Sequence, residues 1–222
     1  MDETAKLKSY FYTSVGIFQS KDDEAGSFKI LCLDADGEKY DYILDKYQFA
    51  AWLSAHGKII SDREYFKLLD DFWGSSSDDV KPDEVCTVEW LFRRGLLSIG
   101  EDPQKDIAFG ACADMVFFLP ILDSQLTGIE LGEDAAKQCR RNKLQLFTAS
   151  KKERELIEYL CEPIDESGAG TMLGYYKKTK AACKDNDMLV RELEKTNSAL
   201  DKLMKKTMVA PVGLLARKAK VM

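Results

Sequence analysis

The chain has 222 residues, 45% hydrophobic and 32% charged, enough for one large domain or two small ones with a packed core and a solvated surface. Its net charge of −6 lacks the attraction to phosphate that drives non-specific nucleic-acid binding, so no nucleic-acid partner is expected. No run approaches the ~20 apolar residues that span a bilayer, and MDETAKLKSY opens acidic without the apolar segment of a signal peptide, so the expectation is a cytoplasmic chain with no membrane partner.

Residues 1–73 read as β-hairpins with helices. Between 8 and 45, Tyr10, Tyr12, Ser14, Gly16 and Phe18 alternate with Phe11, Thr13, Val15 and Ile17, a β-branched and aromatic pattern that favours strands. After the polar SKDDEAGS comes FKILCLDADGEKYDYIL, where Asp36-Gly37 between apolar runs signals a hairpin. A two-residue turn there predicts Leu33 opposite Tyr40, Leu31 opposite Tyr42 and Asp34 opposite Lys39. Residues 46–56 read as a helix with Phe49, Trp52 and Leu53 on one face and Gly57 as its stop. Ser61 or Asp62 caps the next helix, which carries a stripe of Tyr65, Phe66, Leu68, Leu69, Phe72 and Trp73.

Residues 74–113 read as a loop-rich connector, within which VCTVEWLFRRGLLSIG declares neither helix nor strand. From 114 to 207 the pattern becomes βα-repeating. Met115 to Leu122 is an apolar run, broken by Pro120, that suits a strand buried on both faces. Ile129 to Arg141 reads as helix, Leu144 to Phe147 as strand, Ala149 to Cys161 as helix, Met172 to Tyr176 as strand and Asp187 to Lys206 as a long helix. That succession predicts a flavodoxin-like βαβαβα half, with a generic α+β fold as the alternative. Residues 208–222 form a basic, apolar tail that either docks on a partner, packs on its own domain or frays.

Six dispersed cysteines (Cys32, Cys86, Cys112, Cys139, Cys161, Cys183) and one histidine, His56, contain no CxxC pair and no clustered zinc ligands. Free thiols are expected, and neither a metal nor a cofactor. His56 lies near a helix C-terminus, where the helix dipole explains it without catalysis. LDADGE at 33–38 leaves two readings open beside the hairpin. A calcium loop fails because Lys39 stands where glycine is needed. The motif also resembles the first motif of haloacid dehalogenase-like phosphatases. That resemblance implies a nucleophilic Asp34, an acid/base Asp36, magnesium, and a downstream Thr148 with Lys151 or Lys152; Asp165 and Glu166 are poor matches for the final acidic pair.

DMVFFLPILDSQLTGIEL resembles the phosphoacceptor strand and loop of response-regulator receiver domains. Asp114 opens the strand and Gly128-Ile129-Glu130-Leu131 matches the helix start. LQLFTAS resembles the strand ending in the switch residue, here Thr148, and GYYKK the strand bearing the lysine, here Lys177 or Lys178. Leu119 stands where that family carries the phosphorylated aspartate, and Asp123 lies four residues beyond it. The resemblance over 114–207 therefore implies a degenerate pseudo-receiver that accepts no phosphoryl group. The expectation is a non-catalytic binding or regulatory protein that acts through protein–protein contacts. The alternatives are a metal-dependent phosphatase or phosphotransferase using Asp34 and Asp36, and a structural subunit of a larger assembly.

Overall fold

The computed structural model describes residues 10–33, 38–74, 82–101, 115–118, 149–160, 170–206 and 208–214. The chain is mixed α/β, and every strand pair among the described residues is antiparallel. Strands β1 (Tyr10–Ser14), β2 (Ile17–Asp22), β3 (Ser27–Leu33) and β4 (Lys39–Leu44) follow one another. They do not make one sheet. β2, β3 and β4 form a meander, while β1 lies between β5 (Ile60–Ser61) and β6 (Leu97–Glu101) in a second sheet. No helix among the described residues is long and apolar enough to cross a membrane.

The hairpin between β3 and β4 is present, but its register is one residue from the expected one. Leu33 faces Lys39, Cys32 faces Tyr40 and Ile30 faces Tyr42. The partner of Lys39 is therefore Leu33, and Asp34 and the turn expected at Asp36-Gly37 lie outside the described residues. A one-residue slip exchanges the faces of a strand. The observed register puts the buried Ile30, Cys32 and Leu44 on the core side, and the cross-strand charge pair is Lys29 with Asp41, 2.8 Å apart. Burial of the apolar set decides the register, because a half-exposed ion pair contributes at most about 1 kcal/mol.

The first three helices are set by their ends. α1 (Lys46–Ser54) begins in a capping box: the Asp45 carboxylate accepts from the Tyr47 and Gln48 amides, each at 2.8 Å, and the Asp45 amide donates to Gln48 Oε1 at 3.1 Å. Gly57 ends the turn that follows at φ +67°. Trp52 is buried as expected and Phe49 partly so, but Leu53 is 37% exposed. In α2 (Asp62–Gly74), Ser61 Oγ accepts from the Glu64 amide, and Tyr65, Leu69 and Trp73 recur every four residues on the buried side; Phe72 faces out.

The untyped stretch is a helix, a turn and a strand. α3 (Glu84–Arg93) is capped by Asp83, whose carboxylate accepts from the Cys86 amide at 2.8 Å. It ends in a Schellman motif in which Gly95, at φ +66°, donates to Phe92 O and Leu96 donates to Leu91 O, each at 2.9 Å. Buried Leu96 and Leu97 then lead directly into β6.

In the second half, β7 (Met115–Phe118) pairs with β8 (Ala210–Leu214), not with a parallel neighbour. Three helices follow β7 in the described chain: α4 (Lys151–Leu160), α5 (Met172–Ala182) and α6 (Asn186–Lys205). Residues 172–176, expected as a strand, are the first turns of α5. The Thr171 hydroxyl caps that helix by accepting from the Gly174 amide at 3.1 Å, and Met172 and Tyr175, three residues apart, are both buried in the helical core. GYYKK is therefore helical. Its match to the lysine-bearing strand of receiver domains does not extend to structure. The βαβαβα succession is not found among the described residues, and Ile129 to Arg141 and Leu144 to Phe147 lie outside them. Residues 208–214, expected to begin a tail, pack on their own chain. Met208 and Val209 are buried beside Leu200 and Leu203 of α6, and β8 follows.

Two apolar cores result. One joins the β1 sheet, the β3–β4 hairpin and α1 to α3; the other joins α4, α5, α6 and the Met208-Val209 segment. Val15, between β1 and β2, belongs to the second core although Tyr12 belongs to the first. Cys32, Cys86 and Cys183 are free thiols, buried, exposed and half-buried respectively; the other three cysteines lie outside the described residues.

The chain crosses between sheets at Val15 and Gly16. Gly16 has φ +111°, and a Cβ there would lie 2.5 Å from Ile30 Cγ2, 2.9 Å from Cys32 Sγ and 3.1 Å from the Leu31 carbonyl oxygen. Gly16→Ala is expected to destabilise by at least about 3 kcal/mol, since collision adds to backbone strain. Gly26→Ala, at φ +62° with nothing within 4 Å, should cost only about 1 kcal/mol. Urea unfolding of the two variants reads the difference, and equal costs would refute the assignment of Gly16 as a sterically closed position. Native-state maleimide labelling with peptide mass mapping should modify Cys86 and spare Cys32 until the chain is unfolded.

Candidate functional site

The feature with most chemical content lies where the end of α1 meets the α6–β8 connection. A cavity of about 320 Å³ is lined there by Leu53, His56, Gly57, Lys58, Met204, Lys205, Val209, Ala210 and Pro211. Gly57 turns the chain at one wall. At the other, the amides of Met208 and Val209 both donate to Leu203 O, at 2.8 and 3.4 Å, which swings the chain from helix into β8.

His56 supplies the polar group. Its ring stacks on Trp52 with centroids 4.3 Å apart and an angle of 28°. Trp52 is itself fixed, because its Nε1 donates to Val15 O at 2.9 Å. Stacking continues along α1 through Phe49 to Phe28, whose rings lie 5.8 and 3.9 Å from their successive neighbours. The imidazole Nδ1 is buried without a hydrogen-bond partner. Burial pushes the His56 pKa down to about 4, so the ring is neutral at pH 7. This corrects the dipole explanation of His56: a helix C-terminus favours the imidazolium, whereas here desolvation prevails. Two cations border the cavity. Lys205 is paired with Asp201 at 2.8 Å, and Lys58 has no ion pair among the described residues.

A second hollow, of about 490 Å³, lies between the start of α4 and α6 and is lined by Lys152, Glu153, Arg191, Glu194, Lys195 and Lys202, among others. Three of those charges, Lys152, Lys195 and Glu153, are engaged within the chain. Glu192 accepts from Lys152 at 3.2 Å and from Lys195 at 2.6 Å. Glu153 occupies the N-terminus of α4, accepting from the Ser150 amide at 2.6 Å while Ser150 Oγ accepts from the Glu153 amide at 3.2 Å. Burial raises the Glu153 pKa, but the hydrogen bonds from Ser150, with Lys206 and Lys202 nearby, outweigh it and hold the carboxyl below its usual range. The anion that such a helix end attracts is already part of the chain.

Most of the residues expected to carry phosphatase or receiver chemistry fall outside the described residues. Asp34, Asp36, Leu119, Asp123, Thr148, Asp165 and Glu166 all lie outside the described residues. Lys151 opens α4 and is exposed, and Lys152 is engaged with Glu192. Lys177 and Lys178 sit on α5, where the Lys178 ammonium lies 5.0 Å from the Tyr159 ring centroid. No group of three His, Cys, Asp or Glu side chains that could hold a metal is found among the described residues. The cavity residues were missed in the sequence apart from His56. Its partners come from residues 204–211, and the one local signal is a basic residue directly after a helix-ending glycine. No family model, curated protein or solved structure matches the chain.

The half-buried imidazole, with its depressed pKa, makes stability depend on pH. The folded pKa is about 4 and the unfolded value 6.5. Between those values the unfolded chain binds a proton that the folded chain does not, so this contribution is intact above pH 6.5 and is lost as pH falls toward 4. At pH 5 the loss is about 2 kcal/mol. His56→Phe keeps a ring against Trp52 and removes the titration. Urea titrations at pH 7.5 and pH 5 should show the variant gaining about 2 kcal/mol over the parent on acidification. Parallel pH profiles for the two proteins would mean that His56 is not buried in its neutral form.

Proposed function

We propose that this chain is a non-catalytic binding protein acting through protein–protein contacts, with the outer face of α3 as its docking element. The observation that carries the reading is the pairing of Val85 and Phe92 on that helix. They are 67% and 48% exposed. Seven residues apart, they are two turns apart on one face. Thr87, Val88 and Leu91, on the adjoining face, are buried against the first core, so the exposed pair is carried on a rigid support. Between them Glu89 accepts from Arg93 Nε at 3.1 Å, giving a polar flank beside an apolar pair. Apolar anchors with a polar surround match the helix-in-groove mode of recognition.

The pseudo-receiver reading of 114–207 agrees with this proposal. A domain with Leu119 in the phosphoacceptor position would have contact, not phosphoryl transfer, as its means of action.

A photo-crosslinking residue placed at Glu89 in the full chain, expressed in its native host, tests the docking face. Irradiation should yield discrete adducts identifiable by mass spectrometry. The double change Val85→Glu, Phe92→Glu should remove them without lowering the thermal midpoint. Adducts that persist in the double variant, or that appear equally with the crosslinker at Lys195 on α6, would defeat the proposal.

A further inference from the structure

We propose that the cavity at the α1–α6–β8 junction binds a small monocarboxylate with a short apolar tail. Three independent features point there. The first is the state of His56. A buried N–H without a partner is rarer and costlier than a buried lone pair. With Nδ1 walled off and unpartnered, the one proton of the neutral ring belongs on Nε2. The ring lines the cavity, so Nε2 is the nitrogen that an occupant reaches, and it meets that occupant as a donor. The second is charge. Lys58 stands at the same cavity with no ion pair among the described residues, while the second ammonium, Lys205, is paired with Asp201. A cationic ligand is repelled, and a single negative charge is matched.

The third feature is the remaining wall. Leu53, Met204, Val209, Ala210 and Pro211 are apolar. Leu53 was expected to be buried and is instead 37% exposed at this cavity, leaving apolar surface for an occupant to cover. The volume of about 320 Å³ is at the small end of ligand sites. A phosphate or nucleotide fits poorly. It needs several convergent donors, commonly a bidentate arginine or an open helix N-terminus, and the described lining has neither. A carboxylate needs only the imidazole N–H and one ammonium, and its tail takes the apolar wall.

The single histidine makes the test direct, because its ring signals in a proton spectrum need no assignment. Hexanoate is titrated into the full chain, followed by calorimetry and by the His56 ring resonances, with 1-hexanol, hexylamine and inorganic phosphate as comparators. Hexanoate should bind saturably with one-to-one stoichiometry and shift the His56 resonances. Hexanol and hexylamine should bind at least tenfold more weakly. Lys58→Ala should weaken hexanoate at least tenfold, His56→Phe should weaken it comparably, and Lys195→Ala should leave it unchanged. The proposal is overturned if hexanoate does not saturate, if hexanol matches it, if phosphate binds more tightly, or if Lys58→Ala has no effect in a variant that retains the parent's thermal midpoint.

Discussion

The structure hangs on the satisfaction of three buried residues, Ser14, Val15 and Gly16, where the chain leaves one sheet and enters the next. Buried backbone groups must be paired, and here none of the pairing is local. The Ser14 amide donates to Ala55 O at 3.1 Å and its hydroxyl to Trp52 O. The Val15 amide donates to Leu96 O at 2.9 Å, and its carbonyl accepts from Trp52 Nε1 at 2.9 Å. The Gly16 amide donates to Pro211 O at 2.8 Å. Three residues thus fix the end of α1, the turn after α3 and the start of β8 relative to one another. Each bond contributes only about 1 kcal/mol net when formed, but a partner withdrawn leaves a buried group unpaired at about 1–3 kcal/mol.

The junction cavity is a by-product of that crossing. Trp52 is held by Val15, and His56 rests on Trp52, so one wall is placed by the Val15 carbonyl. Pro211 lines the opposite wall and is held by the Gly16 amide. The two cores meet at this point, and the apolar and polar faces that neither core absorbs are left facing each other across the gap. The His56 ring is held there by its stacking on Trp52, which the Val15 carbonyl in turn fixes.

What the sequence made legible was local. Strands β1 to β4 and helices α1, α2, α4 and α6 follow from alternation, caps and apolar stripes, and all are present. Asp83, the spacing of Val85, Val88, Leu91 and Phe92, and Gly95 spell a capped helix with a Schellman end, yet the following Leu96-Leu97 blurred that pattern into an untyped run. Met172 to Tyr176 went the other way: five residues are too few for period alone to separate a strand from a helix, and the deciding contacts come from the packing of α4 and α6. The β3–β4 register turned on burial of Ile30 and Cys32, which a turn motif does not encode. The pairing of β7 with β8 joins residues about a hundred apart in sequence, beyond the reach of any local pattern. At the site, His56 was visible as a residue, but its neutral state is tertiary.

The antiparallel embrace of β1 has a consequence for the order of folding during synthesis. β1 precedes both of its neighbours, Ile60–Ser61 and Leu97–Glu101, in the chain, and the amide just beyond it is answered by Pro211. Pairings of such sequence separation are slow, because loop closure must precede the contacts that reward it. The β2–β3–β4 meander can close on itself as it leaves the ribosome, whereas β1 waits beside it with its ladder groups solvated. Completion of the first core coincides with arrival of β6, and closure of the crossing with arrival of β8. β1 is thus paired on both edges only when β6 arrives, and until then the nascent chain carries an open template edge.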